Sequence, residues 1–247
     1  MSTAPDQFYT GLISQAYGPL RGSPAPVEPY ERFVRRHGDP ALELGCGPGE
    51  PLLDLVASGL DVTGLDSSAD MLALCREAAE LRGLEVQLVH QPIESMELDS
   101  TFRTIYLAGP TFQLLIDLQS ARDALGRIAA HLVPDGRAMV PLFTPQPTSP
   151  DAFGRWREHT TDDGEVLAFC AVAESYRADE RRVDTTLRYR RGPLDQPIEE
   201  VERVWSLRWY DDGEFESMAA DARLHVDRLL DHGELGRTYL LGLEATA

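Results

Sequence analysis

Ala41-Leu42-Glu43-Leu44-Gly45-Cys46-Gly47-Pro48-Gly49-Glu50 decides how the rest of the chain is read. It begins apolar and ends in three glycines at alternate positions, the pattern of a short buried strand followed by a tight turn. Glycine serves where the backbone takes φ > 0 or where a ligand approaches with no Cβ in the way. Pro51 sits where a helix opens, since its missing N–H costs nothing in a first turn. Leu52, Leu53, Leu55, Val56 and Leu60 follow at roughly helical spacing. The unit is strand, glycine turn, helix. Leu60-Asp61-Val62-Thr63-Gly64-Leu65-Asp66 then reads as a second short strand ending in an acid, 17 residues beyond Gly49. In a doubly wound α/β sheet, an acid at that point accepts hydrogen bonds from both ribose hydroxyls of a nucleoside.

Two cofactor chemistries use this layout. A dinucleotide site wants G-x-G-x-x-G, with a helix N-terminus facing the pyrophosphate. Here the spacing is G-x-G-x-G, and Pro48 removes one N–H donor from the turn, which argues for a ligand without a pyrophosphate. With Glu43, Gly45, Gly47 and Gly49 in an E-x-G-x-G-x-G frame, the chain resembles the class I S-adenosylmethionine-dependent methyltransferases of the small-molecule type. The resemblance continues through Asp66, Ser67 and Met71. It reappears at Leu132-Val133-Pro134-Asp135-Gly136, similar to the family's L-x-P-G-G turn before the fifth strand, and covers roughly residues 30 to 145.

The resemblance implies an α/β fold: a Rossmann-like, seven-stranded, mostly parallel sheet with flanking helices, plus an antiparallel β insertion after the fifth strand. It implies S-adenosyl-L-methionine as cofactor. The implied cofactor site comprises Tyr17, Glu43, Gly45, Cys46, Gly47, Gly49, Asp66, Ser67, Met71, Gln91, Pro92, Ile93 and Leu107. In the family an N-terminal segment often folds over the cofactor and offers an aromatic hydroxyl to its methionine end; Tyr9 and Tyr17 match. The Met71 position packs beside adenine, where a flexible thioether suits the contact. Many members carry an acid near position 92 for the adenine amine. Here Pro92 has no side-chain acceptor, so that contact passes to Gln91, Glu94 or a backbone carbonyl, while Ile93 covers the ring face. The stretch Leu107 to Gln113, at the carboxyl end of the fourth strand, is expected between cofactor and acceptor, with Phe112 and Gln113 lining the pocket. The N-P-P-Y signature of DNA and some protein methyltransferases is absent.

Composition bounds the rest. The 247 residues suffice for one α/β domain or a domain plus a small lobe. There is no apolar run long enough to span a bilayer, and the first thirty or so residues lack a basic start followed by an apolar core. A cytoplasmic location is expected. The formal net charge of −18 repels phosphate backbones, so nucleic acid is not an expected partner and a neutral or cationic small-molecule acceptor fits better. Cys46, Cys75 and Cys170, and the six histidines, show no metal-ligand spacing, so no metal is expected. Cys46 reads as a small residue in a crowded loop.

Taken in order, residues 1–35 read as an N-terminal helical cap, with Phe8, Leu12, Ile13 and Tyr17 at helical spacing. Residues 36–145 read as the cofactor-binding core. Its third strand is expected over Leu84 to His90, its fourth over Thr101 to Leu107, a helix over Ala121 to Leu132 and a fifth strand over Ala138 to Phe143. Residues 146–210 read as an antiparallel lid or dimer surface with three strands, Val166 to Tyr176, Arg182 to Tyr189 and Ile198 to Trp209. Its arginines are expected on a solvated face, with Arg188 or His159 the candidates to turn inward. Residues 211–247 read as a helix capped by Asp211 and two closing strands, Leu224 to Leu230 and Thr238 to Ala245.

Methyl transfer from a sulfonium needs positioning and water exclusion above all; a base is needed only where the acceptor must lose a proton. No fixed motif names one. His159, Tyr106 and Glu174 are the candidates, and no catalytic residue is assigned. Two alternatives stand beside the enzyme: a catalytically inert S-adenosylmethionine-binding regulatory module, for which Pro92 speaks, and an NAD-dependent oxidoreductase.

Overall fold

The structure, a computed structural model, describes residues 5–22, 26–233 and 236–244. The strand that opens the glycine turn is β1, Ala41–Leu44, and all four of its residues are buried. A strand covered on both faces reads as a continuous apolar run rather than an alternating one. Leu42 and Leu44 pack in one apolar layer and Ala41 in another. The strands that join β1 are β2 (Val62–Asp66), β3 (Gln87–His90), β4 (Phe102–Leu107), β5 (Leu132–Leu142), β10 (Leu224–Asp231) and β11 (Arg237–Leu243). They form one seven-stranded sheet in the order β10-β11-β5-β4-β1-β2-β3. The five strands from β5 to β3 run parallel, and β11 is antiparallel to both its neighbours. The chain leaves β1 toward β2 on one side and returns to β4 on the other. The crevice between β1 and β4, at their carboxyl ends, is therefore the topological switch point where α/β sheets bind ligands.

Helices cover both faces. α3 (Glu28–His37), α4 (Leu52–Ala57) and α5 (Ala69–Leu81) bring Phe33, Val34, Leu52, Leu55 and Leu72 against Ala41, Val62, Tyr106 and Met139. α6 (Leu118–His131) and α7 (Asp212–Asp221) bring Leu125, Ile128, Phe215 and Met218 against Leu42, Leu44, Ile105 and Val140. Ser68 and Asp211 cap α5 and α7, accepting from the Met71 N–H (3.2 Å) and the Glu214 N–H (2.8 Å). Among the described residues no helix is long and apolar enough to cross a membrane.

A second sheet follows β5. Its strands are β6 (Arg157–Thr160), β7 (Val166–Arg177), β8 (Arg182–Arg191) and β9 (Glu199–Arg208), antiparallel and in sequence order. One face, with Leu167, Phe169, Leu187, Tyr189, Val201 and Trp205, packs on the N-terminal helices α1 (Pro5–Phe8) and α2 (Leu12–Arg21) through Phe8, Leu12, Ile13, Ala16 and Leu20. The other carries a ladder of ion pairs, Arg188 with Glu202 at 3.2 Å and Arg190 with Glu200.

Several expected boundaries shift. β6 is a fourth strand where three were expected; all four of its residues are exposed, so it shows no alternation to read. β5 begins at Leu132, not Ala138. The pairing skips from Phe102↔Leu132 to Thr104↔Arg137, so the Pro134-Asp135-Gly136 stretch bulges inside the strand instead of preceding it. The last strand ends at Leu243, and Ala245 lies outside the described residues.

Phe215 is fully buried, with its ring 4.5 Å from Tyr239 and 5.5 Å edge-on to Phe112. Phe215→Ala removes the ring that α7 sets against the sheet, and a loss of about 3–5 kcal/mol is expected. Urea unfolding checks this: a loss below about 1 kcal/mol would mean that the cluster repacks.

Candidate functional site

The carboxyl ends of β1, β2, β3 and β4 open onto one cleft of about 460 Å³. Its floor is the glycine turn. Gly45 has φ +71° and Gly47 φ +52°, left-handed values that a Cβ disfavours. A Cβ on Gly45 would also overlap the Thr111 methyl, while one on Gly47 would meet no neighbouring atom within 4 Å. Glycine is thus demanded at the first by packing and conformation, and at the second by conformation alone. The turn is held to β2 by the Gly45 and Cys46 N–H groups, both donating to the Leu65 carbonyl (2.7 and 3.0 Å).

Asp66 ends β2 at the cleft wall. Its Oδ2 accepts the Gly47 N–H and its Oδ1 the Ser68 N–H, both at 2.8 Å. A carboxylate has about four acceptor positions, so each oxygen keeps one for a ligand. Burial raises the carboxyl pKa, while the bonds from Ser68 and Gly47 and the nearby His90 pull the other way.

Behind the floor lies Glu43, which is fully buried. It stands opposite Tyr106 in the β1–β4 register, and its Oε2 accepts the Tyr106 hydroxyl at 2.8 Å. Its Oε1 is buried with no hydrogen-bond partner. Burial pushes the carboxyl pKa up to about 8, so at neutral pH the group holds its proton. Tyr30 packs 5.4 Å from Tyr106 and accepts the Gly109 N–H at 3.4 Å.

One end of the cleft has Met71, Pro92 and Ile93 on its walls, with Glu94, one of the side chains expected to meet the adenine amine, beside them. His90 stands there too, its Nε2 2.9 Å from the Ser67 carbonyl. The other end is formed by Ala108 to Thr111, Leu114 and Leu115 from the segment after β4, faced by Tyr9 and Tyr17 from the N-terminal helices. Burial raises the pKa of both tyrosines, Tyr9 far beyond the neutral range, and the Tyr9 hydroxyl accepts the Trp205 indole N–H at 3.1 Å. An Arg21–Glu50 pair at 3.2 Å closes the rim.

Of the residues expected at a cofactor site, Tyr17, Gly45, Cys46, Gly47, Asp66, Ser67, Met71, Pro92 and Ile93 line this cleft. Four do not reach its wall. Glu43 lies behind the floor. Gly49 turns toward Leu53 and Cys75. Gln91 spends its side chain on the backbone of Glu97, accepting at 2.8 Å and donating at 3.3 Å. Leu107 is fully buried in the core. Phe112 and Gln113, expected to line the pocket, belong to the interior instead. Phe112 joins the aromatic cluster around Phe215, and Gln113 bonds the backbone of Phe143 and Arg208.

The three candidate bases also lie elsewhere. Tyr106 is committed to Glu43, His159 is exposed on β6, and Glu174 accepts from Thr148 and Thr185. Arg188 does not turn inward but pairs with Glu202. Arg21, Glu50, Leu114 and Leu115 enter the cleft without a sequence signal; only His90 could have been found, as the last residue of a parallel strand. Among the described residues no three His, Cys, Asp or Glu side chains gather as metal ligands.

Residues 41–136 match the family model described as a methyltransferase domain. The dTDP-3-amino-3,6-dideoxy-alpha-D-glucopyranose N,N-dimethyltransferase of Streptomyces fradiae is 30% identical over 160 residues, 60% of this chain and 60% of that protein. The demethylmenaquinone methyltransferase of Thermus thermophilus is 35% identical over 134 residues, 50% of this chain and 58% of that protein. The matches span 49%, 60% and 58% of the length of the first three curated relatives. Among solved structures, the CcbJ methyltransferase from Streptomyces caelestis superposes with a TM-score of 0.76 at 19% identity, covering 99% of each chain. The S-adenosylmethionine-bound amino pentose methyltransferase CalS10 from Micromonospora echinaspora superposes with 0.66 at 21% identity, covering 94% of this chain and 97% of that one. At those identities the likeness is one of fold.

The Glu43 proton has a measurable consequence. Between the ordinary carboxylate value and about 8, the folded chain keeps a proton that the unfolded chain has lost. Stability from this group is therefore present at low pH, falls as pH rises through that window, and is level above it. The slope is at most roughly 1.4 kcal/mol per pH unit. Glu43→Gln removes it, so the difference in urea-unfolding free energy between variant and parent should move in the variant's favour from pH 5.5 to 7.5. A constant difference would mean that Glu43 is ionised in the folded chain.

Proposed function

We infer that this chain, which carries a class I methyltransferase domain, binds S-adenosyl-L-methionine in the 460 Å³ cleft and directs its methyl group in line onto a nucleophilic atom of a small molecule. One observation carries the reading: Asp66 is fixed by the Gly47 and Ser68 N–H groups so that it faces the cleft beside a floor of bare backbone. That pair fits a nucleoside with an uncharged link to its tail. The cofactor itself supplies a methyl already activated on a sulfonium. The residues supply the hold. Asp66 accepts the ribose hydroxyls, Met71, Pro92 and Ile93 sandwich the adenine, and the Gly45-Cys46-Gly47 backbone lets the methionine portion lie against it. Residues 1–35 and 146–210 act as a lid on the core of 36–145, which 211–247 completes. Tyr9 and Tyr17 of that lid, with Leu114 and Leu115, keep water from the transfer.

The acceptor atom best fitted to this cleft is an amine nitrogen. Among the described residues the stretch Ala108 to Leu115 supplies no carboxylate or imidazole to the wall, and the Glu50 carboxylate at the rim is paired with Arg21 at 3.2 Å. Its hydroxyls are poor bases: Thr111 donates to the Ala108 carbonyl at 2.7 Å, and burial keeps Tyr9 and Tyr17 protonated. An amine shed of its proton in water arrives with a lone pair and needs no base. The amino-sugar substrate in the name of the Streptomyces fradiae relative agrees with this. The charge of −18 opposes phosphate backbones, and a soluble cytoplasmic enzyme on a small amine suits the chain.

Calorimetry with S-adenosyl-L-methionine and with S-adenosyl-L-homocysteine tests the cleft. Binding near micromolar is expected, and Asp66→Ala should weaken it by roughly 1–3 kcal/mol, about 5- to 150-fold. Absence of both heat and thermal shift with either nucleoside would sink the reading. Transfer of labelled methyl to an amine in a metabolite extract then separates an enzyme from an inert binder.

A further inference from the structure

A second cavity, of about 210 Å³, lies between α2 and the antiparallel sheet. It shares Tyr9, Tyr17 and Arg21 with the cofactor cleft, so those three residues form the wall and rim between two chambers. Its other walls are apolar, chiefly Ala16, Phe169 and Leu187. The cavity is nevertheless furnished with polar groups. Tyr189 is only 8% exposed, stacks on Phe169 at 5.4 Å, and its hydroxyl bonds no protein group among the described residues. The Tyr17 hydroxyl likewise has no protein partner among them. Neither hydroxyl oxygen is among the buried side-chain atoms left without a partner, so both are accessible and keep their hydrogen-bonding capacity for a ligand or water.

The cavity also holds a cation. Arg157 sits over the Phe169 ring at 5.6 Å and spends only one of its terminal nitrogens, on the Leu20 carbonyl at 3.2 Å and the Arg21 carbonyl at 3.5 Å. Among the described residues no carboxylate pairs with it, although acids outnumber bases by 41 to 23 in this chain. The other arginines of the sheet's opposite face, such as Arg188 and Arg190, are each matched to a glutamate. An unmatched guanidinium over an aromatic ring, beside a free hydroxyl, suits a planar group that carries a negative charge.

We propose that this cavity is the subsite for the non-reacting part of the methyl acceptor: a planar, largely apolar ring bearing an anionic group, held by Arg157 and Tyr189. The acceptor's nucleophilic end reaches past Tyr17 into the cofactor cleft. The inference rests on the methyltransferase reading above. It adds to it that the acceptor is two-ended, with its charge-bearing ring on the sheet side. The acidic surface at large does not contradict this, because on this face of the sheet Arg157 and Arg203 both lack a carboxylate partner among the described residues, and Arg203 spends its donors on the carbonyls of Phe8 and Thr10.

The probe is 8-anilinonaphthalene-1-sulfonate, a planar apolar ring system with one anionic group. It is titrated into the full chain saturated with S-adenosyl-L-homocysteine, so that the cofactor cleft is filled. One bound probe per chain with enhanced fluorescence is expected. Arg157→Gln should weaken it roughly tenfold, the loss of one charged hydrogen bond. Leu187→Trp, which fills the cavity, should abolish it, with nucleoside affinity by calorimetry kept in both variants. Three results overturn the subsite: no probe bound to the saturated chain, probe displaced by the nucleoside, or equal binding in Arg157→Gln and parent. Should Leu187→Trp fail to fold by thermal melting, Arg157→Gln, an exposed position, still decides. Failure of nucleoside binding in the parent would strike the methyltransferase reading instead, and the calorimetry reports it separately.

Discussion

The site depends on one carboxylate that joins three pieces of chain. Asp66 takes the Gly47 N–H with one oxygen and the Ser68 N–H with the other. Those bonds fix the glycine turn after β1 to the end of β2 and to the first turn of α5. Without them the turn would be a string of left-handed glycines with the large backbone entropy that glycine brings. With them it is a rigid floor. Because each oxygen takes only one of these bonds, the same carboxylate stays available to a ligand. In the function proposed above, the group that builds the floor is also the one that grips the sugar, so rigidity and recognition are not separable there.

Glu43 poses the converse case. A fully buried acid in a parallel strand is expensive, and a leucine would pack the same space. It is tolerated because Tyr106, opposite it in the register, donates to one oxygen, and because burial keeps the proton on. The remaining oxygen stays without a partner behind the cofactor floor. A buried polar atom left over at a cleft is a reserve of interaction that a ligand's polar end, or a water carried with it, can draw on. In an apolar core position elsewhere in the sheet, the same residue would only destabilise.

What could be read in the sequence was what is local. β1, the glycine turn and β2 are contiguous, and their apolar run, spacing and terminal acid announce them before any tertiary contact is known. The five parallel strands follow from the same alternation of short apolar runs and helical periods. What could not be read was direction. Phe112 and Gln113 sit one and two residues beyond Thr111, which faces the cleft, yet the tight helical turn over Thr111–Leu114 sends both inward. Gln91 was a plausible adenine partner until its side chain closed on Glu97. The Arg21–Glu50 rim spans 29 positions between an N-terminal helix and the glycine turn, and no periodicity links them. β6 escaped because a strand with both faces wet has no pattern.

The N-terminal helices show how the two halves of the cleft come to share one anchor. Arginines from the antiparallel sheet cap their carboxyl ends: Arg203 donates to the Phe8 carbonyl at 2.6 Å, and Arg157 to that of Leu20 at 3.2 Å. Exposed last-turn carbonyls are acceptors in want of a donor, and a cation suits them doubly. The helices therefore belong to the sheet. Besides the Arg21–Glu50 pair at the far end of α2, two bonds among the described residues tie them to the core near Tyr9. The Ser68 hydroxyl donates to the Tyr9 carbonyl at 2.6 Å, and the Gly11 N–H to Asp70 at 2.7 Å. Ser68 is the residue whose N–H holds Asp66. In the function proposed above, a nucleoside that settles on Asp66 braces the very stretch that latches Tyr9, and the helix that follows, Leu12–Arg21, presents Tyr17. Tyr9, Tyr17 and Arg21, which the two cavities share, are therefore tied to the first of them through Ser68, whose N–H holds Asp66 and whose hydroxyl holds the Tyr9 carbonyl.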